Sequence, residues 1–95
     1  MTAEYIITFD NTSSAIKAEQ YLLAARLRVG VMPLPSQVRA GCGICLRLPE
    51  EQIGAALEVL CGNSIADNGV YVRTAAGNTY VYGAVDDRSD LWNGN

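Results

Sequence analysis

Ile44-Cys45-Leu46-Arg47-Leu48-Pro49-Glu50-Glu51-Gln52-Ile53-Gly54-Ala55-Ala56-Leu57-Glu58-Val59-Leu60-Cys61-Gly62-Asn63 joins a strand-like run to an amphipathic one. Its first five residues form a short apolar run of strand length. Pro49 then suits a first helical turn, and Glu50 and Glu51 favour the positive end of a helix dipole. Ile53, Ala56, Leu57 and Leu60 follow at i, i+3, i+4 and i+7, one apolar stripe of a helix. Burying Ile53, Leu57 and Leu60 contributes roughly 1.5–3 kcal/mol each before entropy. Gly62-Asn63 supplies a stop. A strand passing directly into an amphipathic helix is half of a split β-α-β unit.

The other half lies upstream. Gly30-Val31-Met32 reads as a short strand, stopped by Pro33-Leu34-Pro35 because neither proline can donate to a ladder. Ser36 to Gly43 is polar and glycine-bearing, hence a loop. Tyr5-Ile6-Ile7-Thr8-Phe9 is β-branched and aromatic with both faces apolar, the pattern of a central strand. Asp10, Asn11, Thr12 and Ser13 offer N-caps. Ala15, Ala18, Leu22 and Ala25 then recur at helical spacing, with Ile16, Tyr21 and Leu23 beside them, to about Leu27. Downstream, Val70 to Thr74 and Thr79 to Val85 read as strands joined by a turn at Ala76-Gly77-Asn78. The order is β-α-β-β-α-β plus one strand. It predicts a ferredoxin-like α+β sandwich, with an antiparallel sheet and both helices on one face. Residues 1–85 form one domain and 86–95 an acidic tail that frays, with Trp92 as a residue that docks. On the face away from the helices, Tyr71, Tyr80 and Tyr82 would form an aromatic surface able to pair two copies as a homodimer.

Composition narrows the function classes. The chain has 95 residues and a net charge of -3. A domain of this size buries only ~60% or slightly more of its unfolded surface, so a site is shallow or completed by a partner. Lys17 is the only lysine and the arginines are scattered. No basic stripe exists to neutralise phosphates, which argues against nucleic acid and against an anionic membrane surface. No apolar run approaches the ~20 residues of a membrane span. Met1-Thr2-Ala3-Glu4 lacks the basic start of a secretory signal, so the expected location is cytoplasmic. There is no histidine, which removes imidazole catalysis and His-containing metal sites. Cys42, Cys45 and Cys61 are too few for a four-ligand zinc site, and no cofactor or metal is expected. Cys61 reads as a helix-end residue. The carboxylates have plainer roles: Glu50 and Glu51 cap, and Asp86, Asp87 and Asp90 are solvated.

The loop between the second and third strands holds what chemistry there is. Pro33-x-Pro35 stiffens the strand exit. Gly41-Cys42-Gly43 flanks a thiol with glycines, which let the backbone turn its amides toward a sulfur or an anion. Amides and a cation stabilise the nucleophilic thiolate, and Arg39 is the nearest cation in sequence. The plain alternative is a small residue in a tight turn. Cys42-Gly43-Ile44-Cys45 is also a C-x-x-C, a spacing used in thiol redox chemistry. Here it runs into a strand rather than a helix, and positions three apart on a strand face opposite ways, so Cys45 reads equally as core.

At these residues the chain resembles the selenium/sulfur carrier-like family of small bacterial proteins, formerly a domain of unknown function. The resemblance rests on Tyr5-Ile6-Ile7-Thr8-Phe9, the helix with Ala15, Lys17, Ala18, Glu19 and Leu22, and Met32-Pro33-Leu34-Pro35. It continues through Val38, Cys42-Gly43, Leu46, Arg47 and the helix after Pro49. It covers roughly residues 4 to 72, and the Pro-x-Pro to Cys-Gly spacing is its most specific part. It implies a carrier that holds sulfur or selenium as a persulfide on one cysteine, here Cys42, between a donor and an acceptor protein. Three positions depart from the family pattern. Arg26-Leu27-Arg28 stands where the helix usually turns on glycine, Ser36 where a basic residue is common, and Cys45 where a small apolar residue is usual. Two other readings stay open: a dithiol redox protein using Cys42 and Cys45, and a small dimeric ligand-binding or regulatory module without catalysis.

Overall fold

The computed structural model describes residues 3–38, 41–88 and 91. The strands are β1 (Glu4–Thr8), β2 (Gly30–Pro33), β3 (Ile44–Pro49), β4 (Gly69–Ala76) and β5 (Thr79–Ala84). The helices are α1 (Thr12–Ala24) and α2 (Ile53–Gly62), the latter preceded by a 3-10 turn at Glu50–Gln52. The sheet runs β2-β3-β1-β4-β5, and all neighbours are antiparallel. This is the expected α+β order, with β1 central and β5 added along the outer edge of β4.

Alternation along the strands sorts the side chains into two layers. On the helix side, Ile7, Phe9, Leu46, Leu48 and Val70 meet Ala15, Ala18 and Leu22 of α1. Ile53, Ala56, Leu57 and Leu60 of α2 complete that layer. The alanines give α1 a thin face, so it lies close to the sheet. On the far side a smaller cluster forms from Ile6, Cys45 and Val38, with Met32, Leu34, Tyr71 and Tyr82 packed against it. Val38 belongs to no strand. The β2–β3 loop folds back over the sheet and seats this side chain there, leaving it 4% exposed.

Both helices end in the same way. After α1 the Arg26 N–H donates to the Leu23 carbonyl and the Leu27 N–H to that of Leu22. After α2 the Ser64 N–H donates to Cys61 and the Ile65 N–H to Leu60. These are Schellman pairs, which need one residue in the left-handed region. Arg26 takes it at φ 65° and Ser64 at φ 58°. Gly62 is the last helical residue of α2 and Asn63 its C-cap, where Gly62-Asn63 was expected to end it. At the other end of α1, the Ser14 N–H donates to Asn11 Oδ1 at 2.8 Å, the N-cap that the sequence offered.

Past β5 the Val85 N–H donates to the Val70 carbonyl at 2.9 Å. Arg88 pairs with Asp67, and Leu91 packs on the helix-side core. Asp90 and Trp92 lie outside the described residues. Among the described residues, no helix is long and apolar enough to cross a membrane.

Candidate functional site: the loop carrying Cys42

The loop leaves β2 at Pro33 and enters β3 at Ile44. A turn closes at its start, where the Val38 N–H donates to the Pro35 carbonyl at 3.0 Å. A second bond ties its neck, from the Leu34 N–H to the Gly43 carbonyl at 2.9 Å. With Val38 seated on the far face, the loop is fixed at three points around the thiol.

The two glycines around Cys42 do different work. Gly41 has φ +87° and lies against the end of β1, where an added Cβ would sit 2.6 Å from the Phe9 carbonyl oxygen. Only glycine fits there, on both counts. Gly43 has φ +97°, but nothing lies within 4 Å of its would-be Cβ. The first glycine therefore permits close approach as well as a turn, and the second permits the turn alone.

Between them, Cys42 is half-buried and free, packed against the helix-side core. Its thiol faces the Ile44 carbonyl oxygen at 3.8 Å, a weak contact. Cys45 is buried completely and belongs to the opposite face. Its thiol faces the Pro33 carbonyl oxygen at 3.9 Å. Burial pushes the Cys45 thiol up to about 11, against the pull of the Arg73 and Arg47 charges; the neighbouring Cys42 adds to the rise. The two halves of the C-x-x-C thus pack with different clusters, Cys42 from the loop with the helix-side core and Cys45 from β3 with the far face. Cys61 is free and exposed at the end of α2.

Of the other residues that the sequence singled out, Pro33 is exposed as the last residue of β2 and Pro35 is half-buried in the turn. Arg39, the candidate cation, lies outside the described residues. Among the described residues, no three of Cys, Asp and Glu gather in a way that could hold a metal. Val38 was not legible as the loop's anchor, because a lone valine in a polar stretch carries no period. Nor was the open cleft of about 410 Å³ at the other end of β1, lined by Glu4, Arg28, Arg47, Pro49 and Glu51. Its charges pair internally, Arg28 with Glu51 and Arg47 with Glu4.

No match was found among curated proteins or among solved structures. The model of the family described as "Putative Se/S carrier protein-like" matches residues 4–72. That span runs from the first residue of β1 to the part of β4 paired with it, and it includes the whole Cys42 loop. The chain belongs to this Se/S carrier protein-like family.

Proposed function

We propose that the protein is a carrier that holds a sulfur or selenium atom on Cys42 and hands it to a partner protein. One observation supports this above the rest: Cys42 is a partly exposed thiol between two glycines of positive φ. Its loop is anchored on both sides, so the sulfur is held in place yet reachable. Gly41 sets the loop against β1, Gly43 completes the turn, and Pro33 and Pro35 limit the conformations of the neck. Arg39 is the cation we assign to stabilising the thiolate.

The chemistry is exchange without net oxidation. The Cys42 thiolate attacks the outer sulfur of a donor persulfide. A new S–S bond forms on Cys42, the donor's S–S bond breaks, and its electron pair leaves with the donor thiolate. Transfer to the acceptor repeats the step, with Cys42 as leaving group. Selenium follows the same course. Such a protein is a stoichiometric shuttle, with no cofactor of its own and with donor and acceptor proteins as partners in the cytoplasm.

The test is loading from a small persulfide donor, read as the mass of one added sulfur on the intact protein and its peptides. Cys42→Ser should lose the adduct and keep the fold; Cys45→Ser should keep both. An adduct that persists undiminished in Cys42→Ser would sink the assignment.

A further inference from the structure

The two edges of the sheet are unlike. β2 is four residues long and ends at Pro33, which has no N–H to offer a further strand. β5 has six residues, Thr79-Tyr80-Val81-Tyr82-Gly83-Ala84, with neither proline nor charge. Its register with β4 runs unbroken from Ala76↔Thr79 to Tyr71↔Ala84, so no bulge turns it aside. An edge strand left in this condition is a template for another strand, and proteins normally blunt such edges with charges, prolines or bulges.

The backbone pattern says which groups are on offer. The Val85 N–H donates to the Val70 carbonyl. By alternation, the polar groups of Val81 and Gly83 also turn toward β4, and those of Tyr80, Tyr82 and Ala84 turn outward. Tyr80 is 42% exposed and Val81 56%. The Tyr80 ring is held in place, with the Arg73 guanidinium 3.7 Å from its centre. Tyr71 and Tyr82, by contrast, are half-buried on the far-face cluster. Of the three tyrosines, Tyr80 is thus the exposed one, and it lies on the edge strand.

We propose that β5 pairs antiparallel with β5 of a second copy about a two-fold axis at Val81, joining the two sheets into one. The occupant follows from the fit of the strand to itself. In this register Tyr80 stands opposite Tyr82 of the second copy, so their outward groups meet, and both such pairs exchange N–H···O bonds. Val81 then faces Val81 of the second copy, and a row of tyrosines lines the other side, the kind of cross-strand pairing that stabilises sheets. The chain carries a net charge of -3, yet this approach sets no two like charges opposite each other, because the strand has none. Asp86 runs out past the uncharged turn at Gly77 and Asn78 of the second copy. The interface is isologous, as a closed dimer requires. β5 lies beyond the span of the family match, and β1 and β4 separate it from β3 and the Cys42 loop. Pairing leaves both thiols free, and the inference does not depend on the carrier reading.

The experiment is sedimentation equilibrium over a concentration series from micromolar to millimolar, on the full chain and two variants. Val81→Lys and Val81→Glu place like charges against each other at the axis, at a residue already more than half exposed. The wild type should pass from monomer to dimer, each variant alone should stay monomeric, and an equimolar mixture of the two should dimerise. Melting curves show that the variants fold, and the mixture restores pairing without restoring the valine. A wild type that stays monomeric throughout would overturn the proposal and leave the edge to a strand of another protein. A dimer indifferent to both variants would overturn it in favour of a different surface. Sulfur loading on Cys42, measured on the same samples, bears on the carrier reading alone.

Discussion

Cys42 and Cys45 are the same residue type, three positions apart, in opposite circumstances. Cys42 sits in the loop, half-buried, between glycines that hold the backbone in a turn few other residues tolerate. Cys45 is one residue into a ladder that runs from Ile44 to Pro49, under Val38, and is wholly buried. The difference shows that spacing alone does not make a dithiol. A C-x-x-C acts most readily as a pair when both sulfurs share one surface, and here the loop thiol packs with one cluster and the strand thiol with the other.

The largest effect that the comparison predicts is in reactivity. Alkylation of Cys45 needs the protein to open, and a domain of ordinary stability, about 5 kcal/mol or more, opens about once in several thousand. Cys45 should therefore react at least about 1,000-fold more slowly than Cys42 in the folded protein, by peptide mass spectrometry. Similar rates at the two sites would break the comparison.

The pH dependence of stability comes next. The Cys45 thiol is raised from 9.0 to about 11 by burial. The folded state then holds a proton that the unfolded state releases, so stability is fully present below about pH 9 and falls as pH rises through about 11. The loss is roughly 2–3 kcal/mol. Denaturant melts across this window should show it, and Cys45→Ala should flatten that part of the profile.

The glycines sharpen the contrast within the loop itself. Gly41→Ala meets the Phe9 carbonyl and a positive φ together, and should cost about 2–4 kcal/mol or displace the loop. Gly43→Ala meets only the φ and should cost about 1 kcal/mol. Equal costs, measured by urea melts, would show that the approach to β1 does not matter. The smallest effects lie at the helix ends, where Arg26→Gly and Ser64→Gly should each stabilise by about 1 kcal/mol by relieving left-handed backbone.

Most of the frame was legible in the sequence, because it rests on period. The stripe through Ile53, Leu57 and Leu60 fixed α2, and the apolar run at Tyr5 to Phe9 marked a central strand. Pro33 marked the end of β2. What was not legible depends on contacts across the chain. Val38 has no pattern around it and becomes an anchor only when the loop folds over Ile6 and Cys45. Arg26 and Ser64 are ordinary side chains in left-handed positions, so a search for glycine passes over them; Gly62-Asn63 marked the end of α2 but not the residue that takes the left-handed turn. In the site, the thiol and its glycines could be named from spacing. That Gly41 touches β1 while Gly43 touches nothing could not, since it depends on where Phe9 lies.

In the carrier reading, Cys42 alone of the C-x-x-C carries the sulfur. The most direct measurement incubates the folded wild-type protein with a persulfide donor and maps the added mass peptide by peptide, with exposed Cys61 as an internal reference for non-selective reaction. One added sulfur is expected on Cys42, in excess of Cys61, and none on Cys45. Sulfur confined to Cys61, or a Cys42–Cys45 disulfide in place of a persulfide, would contradict it.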